Sequence, residues 1–413
     1  MKIAVIHDSG SVGSWRWVSS VFGAIKKYYP ETKITVFYKK NSALPEGVLK
    51  SLSNANLIIK SVNLSNLKLS KSKITHIKFI DNCLYALIKP IYRCFSKARL
   101  TFLKKQISKY DIVFNSWFYS LDALKFETNC FFIPHDFIFT HFFGLHCGNV
   151  YSSKFFTDTR TRLEKYLSYG YVPCVATNYI KHELKKTFPE YTGTIHQIEV
   201  IPENGMRPLN DAECATILKK FDIETDYILM PTNNMPHKNM EEGMTAYYYV
   251  KQKYPHLKMI IIGFGTDGIR VQMNLPYYAD HVSAGEAYDI KSLGLVSDFE
   301  LNALLLKAKL VLNVSLCEAA CGSGLDAWYL GVPTAISDIP PYTEQVETLG
   351  VKTEFFNPKN SESIAAAILK LLDNPEQAKE NARISYNAVR TKYTAKDMAD
   401  AYMKVFENTI FND

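Results

Sequence analysis

The chain has 413 residues, of which 47% are hydrophobic and 22% charged, and its formal net charge at pH 7 is +7. This composition is typical of a globular protein with a large buried core and excludes collagen-like and disordered classes, while the length favours two or three domains. The eight cysteines are scattered without a CxxC pair or a histidine cluster at ligand spacing, which argues against a zinc site and against a disulfide framework.

The start of the chain carries no targeting pattern. The first residues, MKIAVIHD, lack the basic start, the long apolar core and the cleavage site of a signal peptide. No stretch approaches the ~18 uninterrupted apolar residues of a membrane-spanning helix. We therefore expect a cytoplasmic protein that does not span a bilayer.

The first half of the sequence has the alternating pattern of an α/β domain. An apolar strand is predicted at residues 2–7, followed by a loop containing Gly13, a helix at 14–29 and a strand at 33–38. Further strands, separated by helical stretches, are predicted at residues 55–60, 110–116, 130–134, 171–178 and 198–202. This pattern predicts a parallel, Rossmann-like domain over residues 1–205. The first loop lacks a full GxGxxG, which argues against a dinucleotide-dependent oxidoreductase.

A basic segment interrupts the first half. Between residues 51 and 110, twelve Lys or Arg accompany a single acid, Asp81. Residues 78–110 have the pattern of one or two basic amphipathic helices interrupted at Pro90, so the basic segment 68–109 could lie on an anionic membrane surface. A solvated basic face or a nucleic-acid surface would show the same charges, but no nucleic-acid motif accompanies them. We expect a peripheral contact with anionic lipid and no nucleic-acid partner.

The second half repeats the alternation. Strands are predicted at residues 226–231, 257–265, 310–314 and 333–338. They indicate a second Rossmann-like domain over residues 206–389. A last helix at residues 394–411 lies beyond what this second sheet needs.

The segment SLCEAACGSGLDAWYLGVPTAISD, which follows the strand at 310–314, carries the strongest functional signal. A loop with Glu318 leads into a helix whose start contains Gly322, Gly324 and Asp326. Backbone N–H groups at a helix N-terminus suit anionic oxygen, and carboxylates accept hydrogen bonds from the hydroxyls of ribose or a hexose. The alternative is that both acids only cap the helix and complement its dipole.

This segment resembles the donor-binding signature of retaining glycosyltransferases of family 4, in which a Glu is followed after seven residues by a second Glu. The matching positions also include Gly331, Val332, Pro333, Ser337 and Asp338. The second acid here is an Asp, and Ala-Ala-Cys replaces the glycine-bulky-glycine of the family. The resemblance implies a GT-B architecture, in which two Rossmann-like domains face a central cleft and a C-terminal helix, here about residues 390–413, crosses back to the N-terminal domain.

A second block, NNMPHKN, follows the strand at 226–231. A lysine at a strand end is often only a solvated charge, but ligands of parallel sheets bind at the carboxyl ends of strands. The block resembles the phosphate clamp of the same family, which makes Lys238 a candidate catalytic residue and Asn233 and His237 candidate donor contacts. Many members place an Arg before this lysine, where Asn233 and Asn234 stand here.

His135 and Asp136 follow the predicted strand at 130–134. A histidine there could be an ordinary hydrogen-bonded side chain, but the family carries a His-Asp pair whose His contacts the transferred sugar. The resemblance therefore implies that His135, Lys238 and Glu318 are catalytic. The donor contacts it implies are Gly13, Asn233, His237, Gly263, Val296, Gly322, Ser323, Gly324, Leu325 and Asp326. A simple turn explains Gly263 equally well, and Val296 would meet the nucleobase through its backbone.

The resemblance also implies the chemistry. We expect a retaining, metal-independent hexosyltransferase without a cofactor, which moves a sugar from a nucleotide-diphosphate donor to a glycan or lipid-linked acceptor in bacterial-type surface glycan or glycolipid synthesis. Two alternatives stay open: a non-catalytic GT-B binding or adaptor protein, and another GT-B enzyme such as a sugar-nucleotide epimerase. The sugar, the nucleotide and the oligomeric state have no sequence signal.

Overall fold

The computed structural model describes residues 1–7, 12–39, 52–62, 101–119, 123–141, 152–201, 206–266 and 289–411. The predicted basic segment 68–109 lies mostly outside these ranges, and the predicted contact with anionic lipid stays a prediction. Within the described residues, none of the helices combines the length and the apolar character that crossing a membrane requires.

The first sheet contains seven parallel strands. They are β1 (Lys2–His7), β2 (Lys33–Lys39), β3 (Ile58–Val62), β4 (Ile112–Asn115), β5 (Asn129–Phe132), β6 (Val172–Val175) and β7 (His196–Gln197). Their order is β3-β2-β1-β4-β5-β6-β7, with Ile3 in register with Ile34 on one side and Ile112 on the other. Continuous apolar runs form these strands because helices cover both faces of a parallel sheet.

The second sheet contains six parallel strands. They are β8 (Tyr227–Pro231), β9 (Lys258–Ile262), β10 (Ile290–Ser292), β11 (Leu310–Asn313), β12 (Thr334–Ser337) and β13 (Glu354–Phe356). Their order is β10-β9-β8-β11-β12-β13. The predicted α/β class with two parallel sheets is confirmed, whereas the predicted domain limits at residues 205 and 389 stay predictions.

Helices connect the strands. Those of the first half are α1 (Val12–Tyr28), α2 (Ile138–His141), α3 (Ser153–Ser168) and α4 (Asn178–Thr187). Those that follow are α5 (Asp211–Lys220), α6 (Met240–Lys253), α7 (Asp298–Lys307), α8 (Gly322–Leu330), α9 (Pro340–Leu349), α10 (Ser361–Asp373), α11 (Pro375–Thr391) and α12 (Ala395–Phe411). A capping box begins α7, in which the Ser297 hydroxyl accepts from the N–H of Glu300 and the Glu300 carboxylate accepts from the N–H of Ser297.

The last helix, α12, packs on the first half, as the resemblance implies. The rings of Tyr402 and Phe406 each lie 6.1 Å from the ring of Phe114 in β4, measured between centroids. The ring of Phe406 also lies 5.0 Å from that of Phe131 in β5. Both helix residues are buried, so the aromatic core of the first sheet is completed by the end of the chain.

The strand order places a switch point in each sheet. In the first sheet the order reverses between β1 and β4, and in the second between β8 and β11. Ligands of open parallel sheets bind outside the carboxyl ends of the strands at such points. The residues that follow β4, β8 and β11 are therefore those that the fold presents to a ligand.

One predicted strand is displaced. The sequence predicts a strand at residues 198–202, whereas the structure forms a two-residue strand, β7, directly before it. The N–H of Ile198 still bonds the carbonyl of Val175 at 2.8 Å, but that of Ile201 lies 3.4 Å from the Met398 sulfur in α12. The segment leaves the sheet here to reach the second half, so its apolar side chains are buried without strand pairing.

Candidate active site

Lys238 and Glu318 meet at the switch point of the second sheet. After β8 the chain forms a single 3₁₀ turn, Pro236–Lys238, and Asn239 takes a left-handed conformation with φ 54° before α6 begins. The N–H of Leu316 donates to the carbonyl of His237 at 2.7 Å and joins this turn to the loop after β11. The Lys238 ammonium donates to the Glu318 carboxylate.

Both partners are charged. The side chains of Lys238 and Glu318 are 22% and 12% exposed. Burial lowers the pKa of Lys238, but Glu318 outweighs burial and the pKa lies above its ordinary value. Burial raises the pKa of Glu318, but Lys238 and His237 outweigh it and the pKa lies below its ordinary value. A donor phosphate must therefore compete with Glu318 for the ammonium.

His135 lies in the first half, directly before Asp136. Its φ of 48° lies in the left-handed region, which is uncommon for histidine and typical of functional sites. The ring Nε2 lies 2.8 Å from the carbonyl oxygen of Ser116, at the end of β4. Since a carbonyl only accepts, Nε2 carries the proton and Nδ1 offers a lone pair. Burial lowers the pKa of His135 to about 4, against the opposing effect of the Ser116 carbonyl, so the ring is neutral at pH 7.

Asp136, in the first half, lies beside His237 and Glu318 of the second half. Its carboxylate accepts from the Tyr119 hydroxyl. Ligand atoms of Asp136, His237 and Glu318 all lie within 4.8 Å of one another. Two carboxylates and an imidazole have the donor types of a divalent-cation site, but Lys238 already supplies a positive charge to Glu318. The expectation of metal-independent chemistry stays a prediction.

The start of α8 carries the predicted glycine-rich contacts. Gly322, Ser323, Gly324, Leu325 and Asp326 are its first five residues, and no side chain caps the helix from the preceding Cys321. The Ser323 hydroxyl accepts from the Asn313 side chain at 2.7 Å. A Cβ on Gly324 would lie 2.6 Å from the Cys321 sulfur, so packing alone requires glycine there. Leu325 is 5% exposed, and its side chain belongs to the core. A ligand at the start of the helix could therefore contact only the backbone of Leu325.

Asp326 is paired with a residue that sequence reasoning missed. The Arg16 guanidinium, from α1, donates to both carboxylate oxygens at 2.7 and 3.0 Å. A second acid, Asp298 at the start of α7, lies 3.2 Å from Arg16 Nε. Burial lowers the pKa of Arg16, but Asp326 and then Asp298 outweigh it, and the pKa lies above its ordinary value. The predicted donor-binding acid is thus held by the opposite half of the fold.

The remaining predicted contacts lie around this centre without forming one cluster. Gly13 is the exposed second residue of α1, and Val296 is a half-buried residue that packs beside the start of α7. The Asn233 side chain accepts from the N–H of Met235 at 3.0 Å and shapes its own loop. Gly263 has φ 133°, and a Cβ there would lie 1.7 Å from the carbonyl oxygen of Thr232. Close chain packing therefore accounts for Gly263.

Some site residues had a signal that sequence reasoning could have used. Ser116 and Trp117 directly follow β4 at the first switch point, and the Trp117 ring lies 4.8 Å from that of His135. Tyr119 lies two residues further on. Arg16 stands three residues after Gly13, at the start of the first helix. Their position after the end of β4 would have identified Ser116, Trp117 and Tyr119 as candidate site residues.

Two parallel sheets of this kind define a class of protein architecture, and known structures share that architecture. The crystal structure of HepE from Anabaena in complex with UDP-glucose has a TM-score of 0.68 at 12% identity and covers 99% of this chain and 100% of its own. The crystal structure of WaaG, a glycosyltransferase involved in lipopolysaccharide biosynthesis, has a TM-score of 0.63 at 13% identity and covers 99% of each chain. The chain has the GT-B fold.

Sequence comparison is more specific for the second half. Residues 217–391 match the family model of glycosyl transferases group 1. Over 159 residues, or 38% of this chain, the sequence is 29% identical to one subunit of human phosphatidylinositol N-acetylglucosaminyltransferase, and this match spans 31% of that relative. Residues 217–391 are thus similar to the glycosyltransferase group 1 domain, with which the predicted resemblance to family 4 is consistent.

Proposed function

We propose that this protein is a retaining glycosyltransferase that moves a sugar from a nucleoside-diphosphate donor to an acceptor hydroxyl. The observation that carries the proposal is the meeting of Lys238 and Glu318 at the switch point of the second sheet, where a carboxylate oxygen of Asp136 from the first half lies within 4.8 Å of the Glu318 carboxylate. The donor-bound HepE structure and the group 1 domain support the same class of activity.

The donor phosphates bind between Lys238 and the start of α8. The helix has nine residues and no side-chain cap, and its N-terminal N–H groups favour an anion. When the donor enters, the Lys238 ammonium passes from Glu318 to the diphosphate. The Glu318 carboxylate is then available to accept from hydroxyls of the donor sugar.

The reaction breaks the bond between the anomeric carbon and the diphosphate oxygen, and the acceptor oxygen bonds that carbon on the same face of the sugar. The acceptor proton passes to the leaving diphosphate. Negative charge grows on the diphosphate in the transition state, so a preorganised Lys238 lowers the barrier electrostatically. This mechanism assigns no nucleophile and no metal to the protein.

His135 orients the sugar. Because its Nε2 proton is held by the Ser116 carbonyl, Nδ1 accepts from a hydroxyl of the transferred sugar. The neutral ring places no second positive charge beside Lys238. The acceptor is a surface glycan or a lipid-linked sugar, an assignment supported by the basic segment 68–109 and by the role in lipopolysaccharide synthesis that WaaG is described as having.

A donor screen tests the proposal. Purified protein is mixed with UDP-, GDP- and ADP-sugars, and both the melting temperature and the release of nucleoside diphosphate are measured. We expect one donor to raise the melting temperature, and Lys238→Ala to abolish the rise. Lys251→Ala is the matched control, because Lys251 also pairs with an acid, Asp289, but lies near the C-terminal end of α6.

The alternatives predict other results. A sugar-nucleotide epimerase converts its donor with no acceptor present. A non-catalytic binding protein is motivated by the engagement of Asp326 with Arg16. If no nucleotide sugar raises the melting temperature and Glu318→Ala changes nothing, the transferase proposal is wrong.

A further inference from the structure

Arg16 is a charged group of the cleft described above to which the proposed reaction gives no task. It lies in the second turn of α1, in the first half, three residues after Gly13. Its two contacts, Asp326 in α8 and Asp298 in α7, both belong to the second half. The side chain is 22% exposed, so it borders the cleft without being sealed from solvent.

The hydrogen bonds of Arg16 leave one of its three guanidinium nitrogens, Nε, without an acceptor among the described residues. Nη1 and Nη2 each donate to one oxygen of Asp326, the paired geometry in which a guanidinium binds a carboxylate or a phosphate. Nε lies 3.2 Å from Asp298, but the angle does not make a hydrogen bond, and Nε is buried without an acceptor among the described residues. A buried donor without an acceptor is costly, so the site can take a further acceptor.

The location matches that of the donor diphosphate. Asp326 lies four residues after Gly322, or about one helical turn from the N–H groups at the start of α8. The clamp segment before Lys238 offers the polar side chains of Thr232, Asn233, Asn234 and His237, and no arginine or second lysine. A guanidinium from the opposite half therefore stands one turn from a phosphate site that has a single lysine.

We propose that Arg16 is a donor-binding residue that supplies the second positive charge of the diphosphate clamp from the opposite half of the fold. In the absence of donor, Asp326 holds the guanidinium at the edge of the site. When the donor binds, the guanidinium passes to the phosphate oxygens and Asp326 becomes available to the ribose hydroxyls. This inference rests on the proposed function, since it requires a nucleoside-diphosphate donor.

The test separates phosphate recognition from nucleoside recognition. UDP, GDP and ADP are titrated calorimetrically into the full chain, each beside its own nucleoside. For the diphosphate that binds, we expect Arg16→Gln to weaken affinity roughly tenfold to hundredfold, the range for a hydrogen bond to a charged group. Affinity for the matching nucleoside stays the same or rises, because Asp326 is then unpaired. Arg383→Gln, which removes an exposed arginine of α11, is the matched control and changes neither.

A second variant keeps the test valid if Arg16→Gln does not fold. Arg16→Lys keeps the charge and loses the planar fork, so we expect a smaller loss that is again confined to the diphosphate. Equal losses for diphosphate and nucleoside would show that Arg16 only positions Asp326 and would overturn the inference. If the Arg16 variants bound both the diphosphate and the nucleoside more tightly than wild type, Arg16 would compete with the donor, and this result would also overturn the inference. If wild-type protein binds none of the three diphosphates, the proposed function itself fails.

Discussion

Replacing Glu199 by Gln should change how the stability of the protein depends on pH. Glu199 lies in the extended segment that leads from the first half to the second and is 7% exposed. Its carboxylate accepts from the Gln345 side chain at 2.9 Å, and the charge of Glu344 is close. Burial raises the pKa of Glu199 from 4.5 to about 7, and its hydrogen bonds with Gln345 and Val200 only partly oppose this.

The sign and size of the expected change in the free energy of unfolding follow from the linkage between proton binding and folding. Between pH 4.5 and 7 the folded protein holds a proton on Glu199 that the unfolded chain has released, so the free energy of unfolding falls as pH rises through this range. The difference between 4.5 and about 7, at 1.36 kcal/mol for each pKa unit, corresponds to about 3 kcal/mol. Glu199→Gln removes this penalty and keeps an oxygen acceptor for Gln345 and Val200.

The assay is urea unfolding at pH 5 and at pH 8. At pH 8 we expect Glu199→Gln to be more stable than wild type by up to about 3 kcal/mol, and at pH 5 the two should be close. Glu347→Gln, an exposed carboxylate on the same helix as Gln345, is the control. Equal stability of wild type and Glu199→Gln at both pH values would refute the reasoning, because Glu199 would then be solvated or paired in a way that leaves its pKa ordinary.

Three further predictions concern the site. Lys238→Ala should lower kcat by roughly 10²–10³, corresponding to about 2.7–4 kcal/mol of lost transition-state stabilisation, and steady-state release of nucleoside diphosphate measures this. Treatment with EDTA should leave turnover unchanged, whereas loss of turnover that Mg²⁺ or Mn²⁺ restores would mean that Asp136, His237 and Glu318 hold a catalytic ion. Gly263→Ala should cost more than about 1 kcal/mol of stability, since its φ of 133° and the Thr232 carbonyl exclude a side chain, while Gly322→Ala, with open space at its Cβ, should melt like wild type in a thermal unfolding scan.

Local sequence pattern was sufficient for most strands of the two sheets, though it missed β10 and β13, and for the second half of the site. The strands at β1, β8 and β11 are continuous apolar runs, and parallel sheets bury both faces of such runs. Lys238 and Glu318 lie in the loops that follow two of these strands, β8 and β11. Because parallel strands end at the same edge, strand prediction and the family resemblance together placed both residues in one cleft.

What sequence could not provide depends on contacts between distant segments. Arg16 and Asp326 are separated by 310 positions, and nothing in either local pattern marks the pair. The tautomer of His135 is set by the Ser116 carbonyl on a neighbouring strand. Gly263 was predicted to be a donor contact or a simple turn; the close approach of Thr232 gives a packing reason for the glycine, and the donor contact stays a prediction. Each of these facts exists only once the chain is folded.

The extended segment that contains Glu199 is connected by hydrogen bonds of Gln345 to the residue before α8, the helix at the proposed donor site. Gln345 donates to Glu199 in that segment, and its side-chain oxygen accepts from the N–H of Cys321, the residue directly before α8, at 2.7 Å. A change at Glu199 can therefore reach α8 through a single side chain. If this connection acts in the folded protein, the affinity for the donor should rise or fall with pH around 7 in wild type, and Glu199→Gln should remove that dependence while Glu347→Gln keeps it.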